Sequence, residues 1–334
     1  MDNRPTKTMK VVLIYRKRRP DAYSIEGLFH SLAKELRKHV QIIEYEISFL
    51  WFAWLDAWRL RKLNPDLYHV TGDIQYITLL LPRQKTVLTV HDIGHLVCTL
   101  SGIKKWVYKW IWTILPICYA KSVTVISEAT REAIRSYLGI RRPLAVVPNC
   151  YAQHFRQSGK KSNGNVSRIL QIGTGQNKNL FRVIEAIKDL ECRLVIVGKL
   201  DELALAKLAK GRISYESYCD LAPEQLIEQY VLSDIVCFVS VYEGFGLPIL
   251  EAQIIGRPVI TSRKPPMCDV AGDAACLVDP YDVSAIRNGI RRLLTNEEYR
   301  CTLVERGYLN AAKYSPEIVA SQYWAVYRNT AQLA

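Results

Sequence analysis

Short apolar runs alternate with amphipathic stretches along the chain, and the two patterns have different periods. Residues 10–15 are a Val/Ile-rich run that reads as a buried strand, followed by a basic loop over 16–21. From Ser24 the apolar positions Ile25, Leu28, Phe29, Leu32 and Leu36 keep helical spacing, and residues 41–45 return to a strand. Strand, helix, strand predicts a parallel sheet. Residues 67–70, 86–90, 122–126 and 144–147 extend the strand series, with helical stretches between most of them. Residues 157–167 break the pattern: they are polar and carry Gly159 and Gly164, which suits an exposed connection. Alternation then restarts, with strands over 168–172, 193–197, 213–215, 235–239 and 258–261. Helices fall at 180–187, 203–209, 223–230, 248–255 and 283–294, and a terminal helical region begins at Glu297.

Two Rossmann-like, doubly wound α/β domains account for this pattern, and 334 residues is a length sized for two. The predicted boundaries are a first domain over 1–156, a linker over 157–167 and a second domain over 168–313. Open parallel sheets bind ligands at the carboxyl ends of their strands, so a cleft between the halves is the expected site. With 49% apolar and 23% charged residues the chain is neither disordered nor low in complexity. Its nine cysteines come no closer together than Cys268 and Cys276, which excludes a zinc ribbon and a Cys-x-x-Cys redox motif. Cysteines such as Cys237, inside an apolar run, read as small buried hydrophobes in a reducing compartment. Residues 1–10 are polar and lack the apolar stretch of a secretory signal, so a cytoplasmic location is expected.

Charge changes the picture in one half only. Residues 1–155 hold 23 Lys and Arg against 12 Asp and Glu, which is +11 of the formal +13. Six of the seven tryptophans lie there too, in two clusters: Trp51, Trp54 and Trp58, then Trp106, Trp110 and Trp112. Arg59, Arg61, Lys62, Lys104, Lys105 and Lys109 flank them. Aromatic plus basic side chains suit an anionic membrane surface, whereas tryptophans in a core suit packing; both readings stand at this point. The longest apolar stretch, 110–120, is interrupted by Thr113 and Pro116 and is short of the ~20 residues a bilayer span needs. The expectation is a chain that lies on a membrane, peripheral on its inner face, without crossing it. Nucleic acid is not an expected partner, because no aromatic strand motif or paired zinc ligands accompany the charge.

Two segments carry candidate chemistry. The strand at 168–172 runs into Gly173-Thr174-Gly175-Gln176-Asn177-Lys178-Asn179 just before a helix, where glycines admit a close ligand and helix-start amides favour phosphate. The strand at 235–239 is followed by Glu243-Gly244-Phe245-Gly246-Leu247-Pro248-Ile249-Leu250-Glu251. Pro248 suits a first helical turn, Glu243 lies before that helix and Glu251 about one turn inside it, so one ligand over the helix start meets both carboxylates. The amides of Phe245, Gly246 and Leu247 face an anion there. His91 ends a strand beside Asp92, a position that favours function, with Asp92 fixing the loop or the imidazole. His30, His39 and His69 read as core residues.

The stretch from Tyr242 to Glu251, continued by Ala252, Gly256, Pro258-Val259-Ile260-Thr261 and Val270-Ala271-Gly272-Asp273-Ala274-Ala275, resembles the signature of family 4 retaining glycosyltransferases of the GT-B fold. Further correspondences run through Thr89-Val90-His91-Asp92, Val125-Ile126-Ser127-Glu128, Val147-Pro148-Asn149, Ile172-Gly173 with Lys178-Asn179, and Asp279-Pro280. The resemblance implies a nucleotide-sugar donor held by the second domain, an acceptor held by the first, and a last helix over 314–334 that crosses back to the first. It further implies that Glu251 bonds the donor ribose hydroxyls, Glu243 lies beside the donor sugar, and His91 approaches the transferring sugar. Lys178, with Gly246 and Leu247 amides, would neutralise the leaving diphosphate; Gly173, Gly175, Asn179 and Phe245 complete the implied donor site.

Two departures qualify it. Many members carry an arginine after the strand-ending glycine, where this chain has Thr174-Gly175-Gln176, so Lys178 serves alone or with Arg182. Many also have a Gly-Gly pair in the first loop, where this chain reads Tyr23-Ser24-Ile25-Glu26-Gly27. No Asp-x-Asp occurs, so no metal cofactor is expected, and the nucleotide sugar is a co-substrate. The basic, Trp-rich first half favours a lipid-linked glycan or polysaccharide precursor as acceptor. The alternatives are a soluble transferase with a small-molecule acceptor and a non-catalytic nucleotide- or glycan-binding module on the same fold.

Overall fold

The structure is a computed structural model that describes residues 9–17, 24–48, 50–159 and 166–332. Most of the predicted basic loop, the middle of the predicted linker and the Ile25 side chain lie outside the described residues. The chain divides into two compact units, one formed by Met1–Ala152 with Pro316–Ala334 and the other by Gln153–Ser315. The division falls upstream of the polar stretch at 157–167. The reason is that Phe155 is buried edge-on against Tyr230, with ring centroids 5.8 Å apart, and Arg257 donates to the Ser158 carbonyl at 3.1 Å. These contacts tie residues 153–158 to the second unit.

The first unit runs β1 (Lys10–Tyr15), α1 (Ser24–Leu36), β2 (Gln41–Glu46), α2 (Ala53–Lys62), β3 (Leu67–Val70), β4 (Thr86–Val90), α3 (Gly102–Val107), α4 (Leu115–Tyr119), β5 (Ser122–Val125), α5 (Glu128–Leu138) and β6 (Ala145–Val146). Its strands form one parallel sheet in the order β2-β1-β3-β4-β5-β6. Alternate residues of β1 serve opposite faces, as the period of two requires. Val12 and Ile14 pack with Ala57, Leu60, Ile77 and Ile117, while Val11 and Leu13 pack with Leu28, Phe29 and Leu32 of α1.

The second unit runs β7 (Ser167–Ile172), α6 (Leu180–Ile187), β8 (Cys192–Val197), α7 (Glu202–Lys210), β9 (Tyr215–Tyr218), α8 (Pro223–Leu232), β10 (Ile235–Phe238), α9 (Leu247–Ile255), β11 (Val259–Ser262), α10 (Met267–Ala271), β12 (Cys276–Val278), α11 (Val283–Thr295) and α12 (Glu297–Ala312). Its parallel sheet has the order β12-β11-β10-β7-β8-β9. The strand expected at 213–215 instead starts at Tyr215. Arg212 takes a positive φ of 50° to end α7, and the Ile213 amide bonds back to Leu208, so Ile213 belongs to the turn. The edge strand β12 was not expected, since three residues are too few to show a period.

Helix α13 (Pro316–Gln332) belongs to the first unit, where Val319, Ala320, Tyr323 and Tyr327 join the core beneath α1. At its centre the imidazole of His69, fully buried, is hydrogen-bonded at 2.7 Å to the Tyr327 hydroxyl and at 2.7 Å to Thr89 Oγ1. His69 is thus a core histidine. His30 and His39 are not: both are exposed, His30 against Glu44 at 2.5 Å and His39 stacked on Trp324. No helix among the described residues is long and apolar enough to cross a membrane.

Burial pushes the His69 pKa down to about 3, so the folded first unit holds it neutral. A histidine depressed on folding leaves stability intact above its unfolded pKa near 6.5 and erodes it as pH falls toward the folded value. Between pH 6.5 and 4.5 the loss from this residue is on the order of 2–3 kcal/mol. His69→Phe lowers stability at pH 7 by taking the Tyr327 hydroxyl's partner away, Thr89 Oγ1 keeping Thr124 and Tyr323, but removes that slope. The gap between the two proteins in urea unfolding therefore narrows on acidification; a gap that stays constant contradicts a neutral buried His69.

Candidate active site

The order of the second sheet places β7 and β10 side by side where the strand sequence reverses direction, the position at which open α/β sheets leave a crevice above their carboxyl ends. Both candidate segments emerge there. After β7, Gly173 turns at a φ of 85°, and a Cβ on it would press on the Lys178 side chain at 3.0 Å; glycine lets the lysine fold back across its own loop. After β10, Gly246 caps α9 at a φ of 110° with no side chain over the first amides. The N-terminus of that helix therefore presents unpaired N–H groups at the crevice.

Lys178 Nζ donates to Glu243 Oε1 at 2.7 Å, and Asn177 Nδ2 donates to the same oxygen at 3.2 Å. Side-chain exposures of 23% for Lys178 and 14% for Glu243 put this pair half out of water, where screening is weaker than at a surface. The two loops are also joined through their backbones: the Val241 amide donates to Asn177 O at 2.8 Å, and Asn177 Nδ2 to Tyr242 O at 3.1 Å. The ammonium lies 4.8 Å from the Phe238 ring centroid.

Glu251, one turn into α9, accepts a hydrogen bond from the buried Tyr230 hydroxyl at 2.6 Å. Burial pushes its pKa up to about 7, opposed by the Tyr230 bond and by the charge of Lys178. Glu243 is thus no local cap and Glu251 no solvated helix residue; one cation faces both.

Asn179 and Arg182 have other tasks. Asn179 is buried at a φ of 63°, and its amide donates to Val239 O and Pro280 O at 3.0 and 2.6 Å. Arg182 donates to Asn179 Oδ1 at 2.9 Å and lies over Tyr281. Both side chains position the loop that carries Lys178. A surface groove of about 700 Å³ beside β12 and α11, lined by Arg263, Asp279, Tyr281 and Arg292, includes none of Lys178, Glu243 and Glu251.

In the first unit the strand order reverses between β1 and β3. Arg16, just after β1, donates to Asp73 Oδ2 at 2.6 Å, and Asp73 follows β3 at a φ of 58°. This cation–carboxylate pair escaped the sequence reading, although its parts were visible as a basic residue after the first strand and a Gly-Asp step after the third. His91, after β4, has its Nε2 2.7 Å from the Thr71 carbonyl, which only accepts, so Nε2 carries the proton. Burial lowers its pKa, so the ring is neutral and Nδ1 holds the lone pair. Gly72, at a φ of 130°, makes room for the ring, since a Cβ there would meet His91 Cδ2 at 2.3 Å. Asp92 fixes the loop by accepting from the Gly94 amide at 2.7 Å.

Two parallel six-stranded sheets, each with charged groups at its switch point, define a GT-B glycosyltransferase architecture. Residues 7–152 match the model of Glycosyltransferase Family 4, and residues 153–310 match that of Glycosyl transferases group 1. The chain belongs to glycosyltransferase family 4, and it is a glycosyltransferase. It is 28% identical over 299 residues to the O-antigen chain mannosyltransferase B of Escherichia coli, covering 81% of this chain and 76% of that protein. It is 34% identical over 222 residues to the MMP alpha-(1->4)-mannosyltransferase of Mycolicibacterium hassiacum, covering 61% of this chain and 53% of that one. Among solved structures, sucrose-phosphate synthase from Thermosynechococcus elongatus superposes with a TM-score of 0.78 at 16% identity, over 98% of this chain and 100% of the other. Anabaena Alr3699/HepE in complex with UDP and glucose does so at 0.76 and 14%, over 96% and 100%.

A carboxylate accepts hydroxyl hydrogen bonds more strongly than the protonated acid, so on the ribose contact that the family resemblance implies for Glu251, affinity falls as pH falls through 7. Between pH 8 and pH 6 the dissociation constant of a nucleoside diphosphate rises about tenfold more in wild type than in Glu251→Gln. Calorimetry at the two pH values checks it; equal pH dependence removes Glu251 from the contact.

Proposed function

We propose that the protein moves a sugar from a nucleoside diphosphate sugar to a hydroxyl of a lipid-linked glycan or polysaccharide precursor, with retention of configuration, at the inner face of a membrane. The observation that carries this reading is the convergence of Lys178, Glu243 and Glu251 at the open end of α9. It is supported by relatives named for building O-antigen chains and amylovoran.

In this mechanism the bond from the sugar's anomeric carbon to phosphate oxygen breaks with its electron pair going to the diphosphate, while the acceptor hydroxyl oxygen bonds to that carbon and passes its proton to the departing phosphate oxygen. Charge grows on phosphate, and Lys178 leaves Glu243 to meet it, assisted by the Gly246 and Leu247 amides. Glu243, released from the ion pair, accepts from hydroxyls of the transferring sugar. Glu251 holds the ribose, and in the first unit the neutral His91 offers its Nδ1 lone pair to a sugar hydroxyl. Arg16 and Asp73 sit where acceptor hydroxyls arrive in the first unit. Lys178 and the helix amides take the place of a metal ion.

The direct test is to offer the purified protein a panel of nucleotide sugars and measure nucleoside diphosphate release by slow hydrolysis. Lys178→Ala lowers turnover by about a hundredfold or more, as loss of a preorganised charge contact does. Activity persists in a chelator; loss that magnesium restores overturns the metal-free step. Glu251→Ala weakens nucleoside diphosphate binding, whereas Glu243→Ala mainly lowers turnover, because only Glu243 adjoins the reacting carbon. Tight binding by Glu251→Ala contradicts the ribose assignment.

A further inference from the structure

The first unit carries a surface that its fold does not use. Trp51, Trp54 and Trp58 are exposed by 86%, 66% and 51%, and their spacing places them along one outward stripe of α2 and the turn before it. Ile103, Trp106, Trp110 and Leu115 repeat the stripe from α3 through the π-helical turn at Tyr108–Ile114 into α4, with exposures of 79%, 62%, 40% and 43%. Helices on a soluble surface bury their apolar stripe and expose charge; here the apolar stripes face out. Both pack against the same short helix, Gln75–Leu80: Trp112 meets Tyr76 at 4.5 Å between ring centroids, and Arg61 donates to Leu80 O at 2.8 Å.

The charges agree with the stripes. Asp56, the sole acidic residue of residues 50–62, is buried, accepting from the Tyr45 hydroxyl and the Ser48 amide at 2.8 Å each. Residues 102–115 contain no acidic residue and three lysines. Lys62 lies 3.5 Å over the Trp58 ring, leaving a cation on top of an aromatic plane. A broad apolar stripe whose own segments expose cations and no carboxylate matches the headgroup and upper acyl region of an anionic leaflet, which offers phosphate and hydrocarbon at those depths.

We propose that these two stripes form one docking surface for an anionic lipid leaflet, with the tryptophans at the headgroup boundary and the lysines and arginines on lipid phosphates. The stacked pair Tyr108 and Trp112 and the edge contact of Tyr108 with His95 continue the aromatic surface to the loop after β4 that begins with His91. A lipid-linked acceptor therefore reaches that loop without leaving the membrane surface. The acceptor clause rests on the proposed function; the docking surface does not.

The test uses the full chain and vesicles of phosphatidylcholine alone or with phosphatidylglycerol at about one lipid in three. Wild type sediments with the anionic vesicles at low salt, and loses about fivefold in affinity for each cation screened or removed. Its tryptophan emission shifts to the blue, and lipids brominated along the acyl chain quench it. Combined Trp51→Ser, Trp54→Ser and Trp58→Ser, or Trp106→Ser and Trp110→Ser, lowers the salt-resistant bound fraction at least threefold while circular dichroism stays native. Should a variant unfold, quenching in wild type decides alone. Wild type that ignores anionic vesicles, or whose tryptophans are not quenched, overturns the surface, as does burial of the stripes in a self-associated form in sedimentation velocity. Nucleoside diphosphate release in solution, without vesicles, reports on the glycosyltransferase reading separately.

Discussion

Lys178 stands half-buried in an ion pair with Glu243, its charge also felt by the buried Glu251, and the loops of the second unit are arranged to hold it there. Such a cation folds back only because Gly173 has no side chain in its way. Its loop is stiffened from beneath by Asn179 and Arg182 and from the side by the Val241 and Asn177 bonds. Glu243 keeps the lysine in place, and in the proposed mechanism a diphosphate takes over from it, an exchange of one anion for another that leaves the ammonium paired throughout. Burial of Glu251 at the next turn adds to this, since a carboxyl titrating near 7 contributes less fixed negative charge beside Lys178 than a solvated one would.

The first unit repeats the layout with other parts. Arg16 and Asp73 meet at its switch point, and the neutral His91 is oriented by a backbone carbonyl instead of a carboxylate. A buried polar cluster, His69 between Tyr327 and Thr89, fastens the last helix to the sheet. Burial holds both histidines neutral.

Much of this was legible because parallel sheets write themselves into sequence as short apolar runs. The Gly-Phe-Gly turn between Glu243 and Glu251 showed as plainly, because Gly246 caps the following helix at a φ of 110° that favours glycine. What stayed hidden depends on partners far apart in the chain. Asn179 reads as a ligand contact until Val239 and Pro280 are seen to take its amide. The Arg16–Asp73 pair joins residues from different strands. The tryptophan clusters look alike in sequence, yet Trp112 packs between Tyr76 and Tyr108 while Trp51 stands in solvent; spacing gives a stripe its face but not its neighbour.

The central claim is that Lys178 exchanges Glu243 for a diphosphate at the start of α9. A crystal structure with a bound nucleoside diphosphate sugar tests it most directly. The account predicts a phosphate oxygen about 3 Å from Lys178 Nζ, the Gly246 and Leu247 amides turned to the same phosphate, and Glu251 on the ribose hydroxyls. A donor bound with Lys178 still held on Glu243 and no phosphate over the helix start contradicts it.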